Sequence, residues 1–130
     1  MTWLFAVIIV GVSILALTAW FAWTRGPHLS AQSQKNLLQL WQKSTAQRDV
    51  HRQVLDADTV IAKLLDELGF TGSMGEKLQK ARRYLPDLNG VWAAHKLRNR
   101  IAHEPGVTVS EYDGKRALAS FEKIIRKFCF

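Results

Sequence analysis

A chain of 130 residues carrying 18 Lys and Arg against 11 Asp and Glu has a formal charge of +7. Its length leaves room for one compact domain beside its uncharged amino-terminal stretch, and hardly for two. A single cysteine, Cys129, excludes an intrachain disulfide framework and agrees with a reducing compartment, while the basic excess favours RNA or anionic lipid without choosing between them.

Thr2 to Trp23, TWLFAVIIVGVSILALTAWFAW, has no charge and no proline. A helix needs about 20 apolar residues to cross a bilayer core, and this run reaches that length. Trp3 at one end and Trp20 and Trp23 at the other suit the headgroup interfaces, which favour amphipathic rings. A cleaved signal peptide would carry a basic leader, an apolar run of about 7–15 residues and a small-residue cleavage site, and these features are missing here. Residues 1–25 therefore read as a retained single-pass anchor, in the membrane through residues 2–23. Arg25, Lys35 and Lys43 follow the span, and basic flanks favour the cytoplasmic side. The expected location is the cell membrane with the body in the cytoplasm.

Gly26-Pro27 breaks the helix and opens a linker over residues 26–33, followed by a helical domain over 34–130. Leu37, Leu38, Leu40 and Trp41 predict a first helix from Ser30 to about Ala46. Asp49 is the predicted N-cap of the next, which runs to Leu68 with Val54, Asp58, Ile61, Leu65 and Leu68 on one stripe. The stretch GFTGSMGEK lacks the Gly-Lys-Ser/Thr of a phosphate loop and follows a helix, so it reads as a turn into a short helix capped by Ser73. That helix carries Lys77, Lys80, Arg82 and Arg83, a basic cluster that reads as a solvated face or a weak attraction to anionic lipid. Asp87 caps a longer helix closed by Pro105-Gly106, and Ser110 caps the last, which carries Phe121, Ile124, Ile125 and Phe128. The fold class is all-α, with four to five helices behind one span.

In the helix bearing LRNRIAH, Val91, Ala94, Leu97, Ile101 and Ala102 project onto an apolar arc. His95, Asn99 and His103 form an adjacent stripe with Trp92, while Lys96 and Arg100 point towards water. Arg98 falls inside the apolar arc, where a charge needs a partner. Asp58 interrupts the stripe of the earlier helix in the same way, which predicts a structural Arg98–Asp58 ion pair; the competing reading lets Arg98 snorkel to the surface along its methylenes. His95 and His103 are too far apart for the usual i,i+4 zinc pair and no cysteine is near, so neither a metal nor a cofactor is expected.

RNRIAH resembles the Arg-x4-His signature of HEPN domains (higher eukaryote and prokaryote nucleotide-binding), with the polar Asn99 directly after the arginine. The flanks LDADTVIAKLLDELGF, MGEKLQKARRY and WAAHKLRNRIAHEP extend the resemblance over roughly residues 35–128. It implies a HEPN-like bundle that binds RNA or nucleotide and, as in many members, acts as a dimeric, metal-independent endoribonuclease. Carried over by position, Arg98, Asn99 and His103 would be catalytic, and His95 and Arg100 would touch substrate. A histidine can move the ribose 2′-hydroxyl proton while an arginine stabilises charge growing on phosphate. Five residues place Arg98 and His103 about 140° apart on an ideal helix, so a homodimer pairing two copies of this helix would bring them together. The competing function is a non-catalytic interaction module for an unknown protein at the cytoplasmic face. In that case His95, Asn99 and His103 belong to an interface and Arg98 is structural.

Overall fold

Five side chains that can accept a hydrogen bond from the backbone decide where five of the six helices begin. The computed structural model describes all 130 residues, as α1 (Thr2–Thr24), α2 (Ala31–Thr45), α3 (Val50–Glu67), α4 (Met74–Ala81), α5 (Leu88–His103) and α6 (Glu111–Cys129), with no strand. Ser30 accepts from the Ser33 amide, Asp49 from His51 and Arg52, Asp87 from Gly90 and Ser110 from Asp113. Ser73 and Glu76 form a reciprocal capping box on α4. Each cap satisfies amides that have no acceptor within the helix.

α1 has no such cap and buries no residue. It is apolar all round, as suits a helix surrounded by an apolar medium. Its 23 residues extend about 35 Å, and about 30 Å crosses a hydrocarbon core. Length and composition make it able to span a membrane.

The remaining helices form one bundle around Leu37, Val54, Ile61, Leu64, Leu65, Val91, Phe121, Ile124 and Ile125, with α4 adding Leu78. α5 and α6 are antiparallel: Asp87, which caps α5, meets Ser120 and Lys123 late in α6. α3 begins beside the start of α6, where a Cβ on Gly114 would lie 2.1 Å from Val50 Cγ2. The two helices approach this closely because position 114 has no side chain. At the opposite end Gln34 Nε2 donates to the Phe128 carbonyl, 3.0 Å away, tying the first turn of α2 to the last turn of α6.

Asp87 adopts the left-handed conformation, φ 53°, which an aspartate tolerates better than most residues. Its carboxylate accepts from the Gly90 amide, the Ser120 hydroxyl and Lys123 Nζ. The Lys123 hydrogen bond, helped by those from Ser120 and Gly90, holds the carboxyl below its ordinary range, although partial burial works the other way.

The packing trims some expected stripes. Leu40 is exposed and Leu68 half-buried, while Val60 joins the core. On α5, Val91 and Ala94 are buried, Leu97 and Ile101 half-buried and Ala102 exposed. An ideal projection assigns a face but cannot tell where neighbouring helices stop covering it. The basic cluster also divides. Lys77 is buried, 2.8 Å from Asp66 Oδ2 with a further contact to the Ala62 carbonyl, and Lys80 donates to the Thr71 carbonyl at 2.7 Å. Lys80, Arg82 and Arg83 remain exposed, and of these only the side chains of the two arginines make no hydrogen bond to the rest of the fold.

Candidate functional site

Asp58 lies at the middle of α3, between Ala57 and Ile61, and is 3% exposed. A carboxylate so buried requires hydrogen-bonded partners, and α5 supplies them. His95 Nδ1 is 2.9 Å from Asp58 Oδ1, and Arg98 Nε is 3.3 Å from Asp58 Oδ2. The ring closes through Asn99: Arg98 Nη1 donates to Asn99 Oδ1 at 3.1 Å, and Asn99 Nδ2 meets His95 Nε2 at 3.3 Å.

Donors and acceptors match around this ring when the imidazole carries its proton on Nδ1. That N–H donates to Asp58, and the free Nε2 accepts from the Asn99 amide, whose oxygen accepts from Arg98. Reversing the Asn99 amide would set its NH2 against the Arg98 guanidinium. The Arg98–Asp58 contact is the weaker join. Its Nε is at ion-pair distance but makes no hydrogen bond, and the Arg98 side chain remains 31% exposed. Trp92 stands edge-on to His95, with ring centroids 6.3 Å apart.

The expected catalytic set is therefore divided. Arg98 and Asn99 sit in the ring with His95 and Asp58, whereas His103 is exposed in the last turn of α5 and makes no hydrogen bond. His103 is two turns beyond His95, about 12 Å along the axis. His95, expected to touch substrate, is instead buried with both ring nitrogens engaged, because α3 packs against the edge of the stripe on which it lies. Nowhere does the fold group three or more His, Cys, Asp or Glu in a metal-holding arrangement.

Arg100 belongs to another feature. It is exposed, 3.5 Å from Glu104, and lines a cleft of about 340 Å³ between α5 and α6. Gly90, Ala93 and Ala94 on α5 and Ala117 on α6 form a floor of small side chains, and Lys96, Arg100 and Arg116 surround it with Asp113. Small residues three and four apart keep the helices close while long cations rise from the rims. Sequence reading placed Lys96 with Arg100 on the water-facing side of α5 but missed Arg116 and Asp113 of α6 as their companions. The signal was available only in part: small residues next to cations on α5 can be seen, but their alignment with Ala117 and Arg116 of α6 needs the register between helices. Such a cleft can take an anionic group among its cations, with a hydrogen-bond acceptor in Asp113.

Compared with known proteins, the chain matches no protein-family model, no curated protein and no solved structure.

Proposed function

We propose that this chain is a membrane-tethered, HEPN-like helical module that binds RNA or a nucleotide through phosphate, at the α5–α6 cleft on the cytoplasmic side. The observation carrying this reading is the convergence of Lys96, Arg100 and Arg116 on one cleft of about 340 Å³. That volume lies at the lower end of the range for small-ligand sites, about 300–1,000 Å³. The cations would meet phosphate oxygens, and Asp113 would accept from a ribose hydroxyl or a base amine. Arg25, Lys35 and Lys43 after the span support the cytoplasmic orientation.

Binding is favoured over cleavage because Arg98 is engaged with Asp58 and Asn99 while His103 lies apart from them. Cleavage by these residues would need a second copy to bring its His103 opposite Arg98. The same ring favours the second reading, a non-catalytic adapter, because it turns the motif's polar groups to structural use.

The test reconstitutes the full chain in neutral phosphatidylcholine nanodiscs and titrates labelled single-stranded RNA and AMP. The expected result is salt-sensitive binding that falls in Lys96→Gln, Arg100→Gln and Arg116→Gln. RNA should also be incubated with the chain in EDTA, beside His103→Ala. Histidine-dependent cleavage would restore the nuclease reading, and absence of both binding and cleavage would leave the adapter.

A further inference from the structure

The linker from span to bundle is too short to leave the orientation of the bundle open. α1 ends at Thr24, and Leu29 is already part of the core, 7% exposed. Five residues reach at most about 18 Å, so with α1 in a bilayer, as the proposed tether has it, the end of the bundle that holds Leu29 stays near the bilayer surface. That end comprises the start of α2, the α4–α5 turn and the last turn of α6. Gln34 meets the Phe128 carbonyl there, and Lys127 Nζ donates to the Tyr84 carbonyl.

Cations collect on this end. Arg25 lies over the Phe21 ring in the last turn of α1, 4.4 Å from its centroid, and Arg83 lies over Tyr84 at 5.6 Å. Arg82 and Lys127 are exposed beside them. Nearby acids are largely engaged: Asp87 with Lys123 and Glu122 with Arg126. Glu67 remains as a counter-charge near Cys129, whose thiol pKa is raised by burial and, secondarily, by that carboxylate. Phe130, 83% exposed, adds an aromatic ring to the same end.

We propose that Arg25, Arg82, Arg83 and Lys127, flanked by Tyr84 and Phe130, form a docking surface for anionic phospholipid headgroups. The occupant is lipid because the short linker holds this surface at headgroup level, next to Trp20 and Trp23 of the span. Stacking on aromatic rings leaves guanidinium edges free for phosphate, and the Lys127 ammonium retains donors beyond the one given to Tyr84. Each basic residue near an anionic leaflet adds attraction that salt screens. The surface orients the bundle on the membrane and is independent of the α5–α6 cleft.

The experiment compares amide hydrogen exchange of the full chain in nanodiscs of phosphatidylcholine alone and mixed with phosphatidylglycerol. Residues 82–85 and 126–130 should exchange more slowly in the anionic discs, with the difference lost at high salt. It should also vanish in the Arg82→Gln/Arg83→Gln/Lys127→Gln variant, whose folding is checked by circular dichroism. Inorganic phosphate added to neutral discs should not reproduce it. Equal exchange of the wild-type chain in the two disc types would overturn the proposal. So would protection that survives in the folded variant, or equal protection by free phosphate.

Discussion

His95 Nδ1 and Asp58 Oδ1 lie 2.9 Å apart inside the bundle, joining α5 to α3 across 37 positions of sequence. Both residues are almost fully buried, and the histidine's other ring nitrogen faces Asn99. Two members of the motif that reads as a catalytic signature, Arg98 and Asn99, thus brace this pair from its half-buried edge.

Removing the shared carboxylate should be the more damaging surgery. Asp58→Ala strips the acceptor from His95 and the counter-charge from Arg98, and should cost about 3–5 kcal/mol, the usual range for a broken buried pair. Double-mutant cycles should give stronger coupling for Asp58 with His95 than for Asp58 with Arg98, whose side chain is 31% exposed. Thermal unfolding of the full chain in detergent measures both, and the reverse order of couplings would contradict the ring geometry.

Gly90→Ala should destabilise the fold despite alanine's better helix propensity. A Cβ at this position would stand 2.3 Å from Asp87 Oδ2 and 2.5 Å from Ser120 Oγ. Overpacking of this kind costs about 1–3 kcal/mol, against at most about 1 kcal/mol gained from propensity. A melting temperature at or above wild type would show that Asp87 and Ser120 can move aside.

Acid should weaken the α5 cap. The Asp87 carboxyl is held below its ordinary value near 3.8 by Lys123, Ser120 and Gly90. Because the folded value is depressed, the stabilisation is present above the unfolded pKa and disappears as pH falls through the folded one. Asp87→Asn tolerates the left-handed backbone but lacks the charge. Its stability deficit relative to wild type should be constant near neutrality and should shrink in strong acid, read from melting temperatures across pH. A deficit independent of pH down to strong acid would count against the linkage.

His103→Ala should fold like wild type. Its ring is exposed without a hydrogen bond, and substitutions at such positions change stability by about 0.5 kcal/mol or less. Arg100→Gln should be similarly mild for folding yet weaken RNA binding and flatten its salt dependence by about one unit of slope. Filter binding at several salt concentrations measures this, and an unchanged slope would remove Arg100 from the phosphate contacts.

Some of this architecture is legible in the sequence alone. Asp49, Ser73, Asp87 and Ser110 announce helix starts because a cap acts within three residues of its own position. The uncharged run before Arg25 announces a helix able to span a membrane because length and apolarity alone set that property. An arginine on the apolar arc of α5 already calls for a buried carboxylate.

The tertiary structure decided the rest. Burial of Lys77 against Asp66, engagement of both His95 nitrogens and alignment of Arg116 with Lys96 and Arg100 all depend on how one helix is rotated and shifted against another. Local sequence sets the start, end and faces of each helix through contacts a few residues apart. The register between helices comes from packing the whole core at once, so a residue's partner across the bundle is fixed only when every neighbouring side chain has been placed.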